Sequence, residues 1–168
     1  MRMMPRINFT PKIDIPEDFI LVQDNQEKLP KHARHKGLFN PSLLYIITAH
    51  LKTGDYSIQG FEDVITIERK SISDLLGTLG KGRIRFEKEL NRMSEYKWKG
   101  LLIEGLENDV YQPNDFSSMH PNSIYHSLAA IETKWGLSVY YAKDKKSARN
   151  WVLSRLTKLY KYLRNGEL

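Results

Sequence analysis

The stretch ITIERKSISDLL, Ile65 to Leu76, runs an apolar alternation straight into a cluster of charges. Successive side chains on a strand point to opposite faces. Thr66, Glu68 and Lys70 therefore share one face, and Ile65, Ile67 and Arg69 share the other. The two isoleucines belong in a core. Glu68 and Lys70 then stand together on the opposite face, about 7 Å apart along the strand. From Ser71 the period changes to that of a helix, and SISDLLGTLGKG reads as a short helix ending near Gly80 to Gly82. A rigid strand thus carries one carboxylate and one ammonium at its carboxyl end, directly before a helix.

Working outward, FILVQ (Phe19 to Gln23) and LLYIITAHL (Leu43 to Leu51) read as the first and second strands, and DVITIERK as the third. DNQEKLPKHARHKGLFNP reads as a polar, basic loop, and TGDY as a turn punctuated by Gly54. Residues 1–17, with Pro5, Pro11 and Pro16, read as an extended or irregular leader, which leaves 18–168 as one domain. Downstream, RIRFEKELNRMSEYK spaces Phe86, Leu90 and Met93 as a helix does, and GLLIEG (Gly100 to Gly105) reads as a buried fourth strand. A polar loop, Leu106 to His120, leads into PNSIYHSLAAIETKWG. There Ile124, Leu128, Ile131 and Trp135 share one helical face, and Gly136 is a natural stop. LSVYYA reads as a fifth strand. The last helix, DKKSARNWVLSRLTKLYKYL, buries a stripe through Ala148, Trp151 or Val152, Leu156, Leu159 and Leu163. Strands alternating with helices predict an α/β fold, and the short early strands predict a mixed central β-sheet flanked by helices.

Composition bounds the function. The chain has 168 residues, 40% hydrophobic and 27% charged, the balance of one globular domain. No apolar run approaches the roughly 20 residues that cross a bilayer, and the N-terminus lacks a signal-peptide core, so an intracellular protein with no membrane partner is expected. The absence of cysteine removes disulfides, thiolate metal sites and cysteine nucleophiles together. The net charge of +6 and pI of 9.4 suit a polyanionic partner, nucleic acid before membrane.

Asp55 lies in GDY, ahead of the charged strand. An acid, a gap and then Glu-x-Lys is the pattern of metal-dependent nucleases. Two carboxylates supply hard oxygen ligands to Mg²⁺ or Mn²⁺. A bound metal polarises the scissile phosphate and lowers the pKa of its water. A nearby lysine positions that water or neutralises charge on the phosphate. The bare three-residue pattern is weak, and on its own it reads better as a half-exposed strand with an ion pair across its face.

The longer pattern is specific. Gly54-Asp55, twelve intervening residues, Glu68-Arg69-Lys70, three more residues and Asp74 resemble the signature of the XPF-type structure-specific endonuclease family, G-D, gap, E-R-K-x-x-x-D. Every fixed position matches. The likeness extends over roughly residues 19–163, through GRIRFEKELNRM, GLLIEG and HPNSIYHSLAAIETKWGLSVYYAKD. It implies a restriction-endonuclease-like core, dependence on a divalent metal, and cleavage of branched or flapped DNA in repair or recombination. By the same resemblance Asp24, Asp55 and Glu68 are metal ligands, Lys70 serves the nucleophilic water, Glu27 is a supporting acid, and Arg69 and Asp74 are further motif positions. The family's acidic cluster D-x-R-E reads Asp24-Asn25-Gln26-Glu27 here, so Gln26 replaces an arginine. The helix-hairpin-helix and helicase modules of many relatives do not fit after Leu163. Substrate positioning then falls to this domain, a dimer mate or another protein, and a phage or mobile-element origin suits so compact an architecture. A homodimer through the late helices is one arrangement the resemblance suggests. The competing readings are a non-catalytic DNA-binding or heterodimerising partner, and a junction-resolvase-like or restriction-like nuclease.

Several of these residues also have plainer roles. Ser71-x-x-Asp74 fits a helix N-terminal cap, and Arg69 fits an ion pair on the opposite side of the sheet from Lys70. Arg83 aligns with a family arginine and suits a phosphate contact, while Arg83 and Glu87 are also one helical turn apart. Lys31, Arg34 and Lys36 in KHARHK suit phosphate contacts or a solvated loop. Trp135, Trp151 and Tyr160 read as core or as a dimer face rather than as base-stacking groups.

Overall fold

The computed structural model describes residues 10–25, 38–39, 45–115 and 117–168. Five further positions singled out above, Gln26, Glu27, Lys31, Arg34 and Lys36, lie outside the described residues. The elements run β1 (Leu21–Asp24), β2 (Ile46–Ala49), β3 (Tyr56–Ile58), β4 (Ile65–Ser71), α1 (Ile72–Leu79), α2 (Arg83–Ser94), β5 (Trp98–Glu104), α3 (Glu107–Val110), α4 (Pro121–Trp135), β6 (Ser138–Ala142) and α5 (Lys145–Arg164). The strands form one mixed sheet in the order β2-β1-β3-β4-β5-β6. β1 is parallel to β2 and antiparallel to β3, β3 is antiparallel to β4, and β4, β5 and β6 are mutually parallel.

Both faces of this sheet are covered, and β4 shows why its sequence has the pattern it has. Ile65 and Ile67, with Leu102 of β5, pack against Ala148, Trp151, Val152 and Leu156 of α5. Leu101 and Ile103 of β5 face the other way, into Leu75, Leu79, Phe86, Leu90 and Leu128 of α1, α2 and α4. Glu68 stands opposite Leu101 in register and Lys70 opposite Ile103. The acid and the lysine therefore project into the α1–α2 layer, on the face that alternation assigns them. That layer covers them, so they are not half-exposed.

Helix boundaries follow local chemistry. Ser71 caps α1: its hydroxyl accepts from the Asp74 backbone N–H at 3.1 Å and donates to Asp74 Oδ2 at 2.7 Å. α4 stops at Gly136, whose φ of +69° is the left-handed conformation that glycine adopts without a Cβ penalty. Ile124, Leu128, Ile131 and Trp135 form its buried face, as their spacing predicts. In α5 both Trp151 and Val152 are buried, beside Tyr160.

The structure departs from the sequence reading in three places. β3 is a sixth strand immediately after the GD turn, where only a turn was expected. The polar loop before β2 contains Leu38 and Phe39, which are core residues, with Phe39 edge-on to Tyr56. α3 interrupts the polar stretch after β5 and buries Val110. Trp135, Trp151 and Tyr160 are buried core residues, the first of the two roles their spacing allowed. Trp135 also donates its indole N–H to Asn91 Oδ1 at 2.7 Å, joining α4 to α2. Among the described residues, no helix is long and apolar enough to cross a membrane.

Candidate active site

Gly54 is where the site begins. Its φ is +81°, and a Cβ placed there would lie 2.0 Å from Thr66 Oγ1 and 3.0 Å from the Ile67 carbonyl oxygen. Only a residue without a side chain lets the turn press this closely on β4. Thr66 closes the contact from its side by donating its hydroxyl to the Thr53 carbonyl at 2.8 Å. The close approach brings Asp55 into the ladder. Its N–H donates to the Ile67 carbonyl at 2.7 Å, and its Oδ2 accepts from the Arg69 N–H at 2.6 Å. Tyr56 pairs with Ile67 in the antiparallel register, so Asp55, one residue earlier, stands beside Glu68.

Glu68 and Lys70 are each only 8% exposed. Lys70 Nζ donates to Glu68 Oε1 at 2.5 Å. It also lies 3.8 Å from Glu89 Oε2 of α2 and 4.9 Å from the centre of the Phe86 ring. Three carboxylates, those of Asp55, Glu68 and Glu89, thus act on one ammonium. Burial and the nearby Asp55 push the Glu68 carboxyl up to about 8, against the pull of Lys70. Burial works against the charge of Lys70, but Glu68, Glu89 and Asp55 outweigh it and hold its pKa above the ordinary value. The pocket is therefore short of positive charge, with one ammonium already committed.

Asp24 reaches the same end of the sheet. Its backbone N–H donates to the Asp55 carbonyl at 2.8 Å. Its side chain is buried, and Oδ2 accepts from the Leu51 N–H at 2.6 Å, with His50 Nδ1 3.8 Å away. Among the described residues, no cluster of three or more His, Asp or Glu side chains is arranged to hold a metal ion by itself. Asp55 and Glu68 are the two acids that stand side by side.

The remaining motif positions separate by face. Arg69 projects to the α5 side and its Nη2 meets Glu104 Oε1 at 2.8 Å, an ion pair on the opposite side of the sheet from Lys70. Asp74 is exposed, and the contacts described for it belong to the α1 cap. Arg83 Nε pairs with Glu87 Oε1 at 3.0 Å on the exposed surface of α2. Sequence reading missed Glu89 and Glu104. Glu89 lies one helical turn from Phe86 and from Met93, so its place at the edge of the buried stripe was the available signal. Glu104 ends an apolar strand just as Glu68 interrupts one.

The ERCC4 domain model matches residues 23–154. Among solved structures, XPF from Aeropyrum pernix matches with a TM-score of 0.63 and 23% identity, over 84% of this chain and 65% of that one. The same protein in complex with DNA matches with a TM-score of 0.64 and 23% identity, over 85% and 65%. The chain thus spans about 65% of the length of the XPF chains it matches, and the likeness at this identity is one of fold. No curated protein matches the chain significantly.

Proposed function

Because the chain belongs to the ERCC4 domain family, with the fold of an XPF-type nuclease domain, we propose that it is a divalent-metal-dependent DNA endonuclease acting on branched or flapped DNA. The observation that carries this reading is the buried Glu68–Lys70 pair beside Asp55 at the end of β4. Burial and the neighbouring Asp55 raise the Glu68 pKa against the pull of Lys70, and a carboxyl held up in this way beside a second acid suits an added cation. Its donors are oxygens only, which fits Mg²⁺ or Mn²⁺. These ions use one or two carboxylates and fill their shell with water and phosphate oxygens. Asp55 and Glu68 would hold the ion, and when bound it would polarise the phosphate and acidify its water.

The chain's own groups supply the rest. The Arg69 N–H holds Asp55 Oδ2 and so sets the orientation of the first acid. Lys70 keeps its charge in the pocket and is held by Glu68 and Glu89. With Glu68 engaged as a ligand, Lys70 would remain held by Glu89 and would be available to phosphate or water. Phe86 flanks the ammonium on its apolar side and keeps bulk water away.

The test is cleavage of labelled flaps, forks, four-way junctions, linear duplex and single strands, with Mg²⁺, with Mn²⁺ and with EDTA. Metal-dependent nicking near a single-strand/double-strand junction is expected. Glu68→Gln and Lys70→Ala should each lower the rate by about 10²-fold or more, the scale of a lost acid–base or charge-stabilising group, while DNA binding persists. Tight binding without nicking under every condition would refute the enzyme and leave a DNA-binding partner.

A further inference from the structure

α2 has three faces, and two of them are accounted for. Phe86, Leu90 and Met93 enter the core, and Glu89 turns to Lys70. The third face carries Arg85, Lys88 and Arg92, and Lys81 of the preceding turn continues it. All four are exposed. Among the described residues none of them is paired with a carboxylate, because the two acids of this helix are engaged elsewhere, Glu87 by Arg83 and Glu89 by Lys70. Together with Gly82 and Ile84 they line a surface groove of about 470 Å³.

This arrangement costs the free helix stability. Like charges at i, i+3 and i, i+4 repel by about 0.2–0.5 kcal/mol per pair. The first turn holds arginines and no acid, against the helix dipole, and Gly82 provides no side-chain cap. Ile84 stands in the same groove, 76% exposed. An anionic ligand with apolar surface relieves each of these at once.

We infer that this outer face of α2 tracks the phosphate backbone of the DNA duplex arm that leads into the Glu68–Lys70 pocket. The inference rests on the nuclease reading above and adds the surface that positions the substrate. Arg85 to Arg92 spans about 10 Å of helix, and Lys81 extends the stripe, so its four long side chains can each reach a phosphate of one strand. Ile84 would lie against deoxyribose between them. Glu89 is one turn from both Arg85 and Arg92, so a strand held on this stripe passes directly beside the pocket.

The experiment measures equilibrium binding of a fluorescent flap and of a plain duplex by the full chain, across a salt series. The test protein carries Lys81→Ala, Arg85→Ala, Lys88→Ala and Arg92→Ala. A charge-matched control carries alanine at Lys143, Lys145, Arg149 and Lys158, on or beside α5 across the sheet. The stripe variant should flatten the slope of log K against log salt by about 3 to 4, at about 0.9 per phosphate contact. It should also raise KM for cleavage with kcat at saturation retained. Its thermal midpoint should not fall, since repulsion has been removed. An unchanged slope with intact wild-type binding, or an equal loss in the α5 control, overturns the stripe alone. Failure of the wild-type chain to bind DNA at any salt overturns the nuclease reading, and the stripe with it.

Discussion

Gly54→Ala tests whether the GD turn is a packing device that places Asp55. The substitution has two separable costs. A left-handed φ at a non-glycine residue costs about 1–2 kcal/mol. Forcing a methyl to within 2.0 Å of Thr66 Oγ1 and 3.0 Å of the Ile67 oxygen is overpacking, which costs about 1–3 kcal/mol. Together the loss is about 2–5 kcal/mol, or a fall in Tm of about 4–20 °C at the 2–4 °C per kcal/mol typical of this chain length. Thr66→Ala removes the atom that clashes, at the expense of the hydroxyl's bond to Thr53. The double variant then retains the backbone strain and loses most of the overpacking. A double-mutant cycle read by urea unfolding should therefore show a favourable coupling of about 1–3 kcal/mol between the two sites. Additive losses, or a Gly54→Ala protein as stable as wild type, would refute the argument that close approach to β4 requires this glycine. Cleavage by Gly54→Ala should fall more than its stability explains, because the bonds of Asp55 to the Ile67 carbonyl and the Arg69 N–H run through the same contact.

Three further outcomes follow from the same geometry. Glu68 binds its proton more tightly in the folded chain than at the ordinary value of 4.5, so metal-free wild type should lose stability as pH rises from about 4.5 to about 8. Denaturant unfolding in EDTA should show this decline, of a few kcal/mol at most, in wild type relative to Glu68→Gln, whereas parallel profiles would remove the proton from Glu68. Ser71→Ala should destabilise by about 1 kcal/mol through loss of the α1 cap, and Asp74→Asn by less. Cleavage by Asp74→Asn near the wild-type rate would leave Asp74 a capping residue only. Arg69→Met should lower stability by about 1–3 kcal/mol, with Glu104→Gln recovering part of the loss in the double variant. Its effect on cleavage should be smaller than that of Lys70→Ala, since Arg69 lies on the other side of the sheet.

Much of this molecule was legible because β4 obeys the period-two rule so cleanly. Ile65 and Ile67 predicted which way Glu68, Arg69 and Lys70 project, and the structure agrees, down to an ion pair for Arg69 on the far face. The faces of α4 and α5 were legible for the same reason, since long periodic elements average out local exceptions. What escaped were features too short to carry a period. β3 is three residues wedged between two glycine turns. Leu38 and Phe39 are two apolar residues in a charged loop. α3 is a single turn. Glu89 and Glu104 were missed for a different reason: each derives its role from a partner on another element, and register between elements is not written in either segment alone. The burial of the site escaped too, because a charged pair on a strand face looks solvated until the covering helix is in place.

The sheet is not equally fastened along its width. β4 pairs with β5 over Ile65–Ser71 and β5 with β6 over Gly100–Glu104, whereas among the described residues the strand register of β3 with β4 is the Tyr56–Ile67 pair, supplemented by the Ser57 hydroxyl donating to the Ile65 carbonyl. The pocket straddles that thin seam, with Glu68 and Lys70 on the tightly laddered half and Asp24 and Asp55 on the other. In the language of cooperative units, backbone amides of the β1–β3 half are the ones expected to exchange with solvent through partial opening, while those of β4 and β5 wait for global unfolding. A cation shared by Asp55 and Glu68 would bridge the two units. Loading the site would then suppress partial opening as well as prepare it for chemistry, by the mass action of any ligand that binds only the closed form.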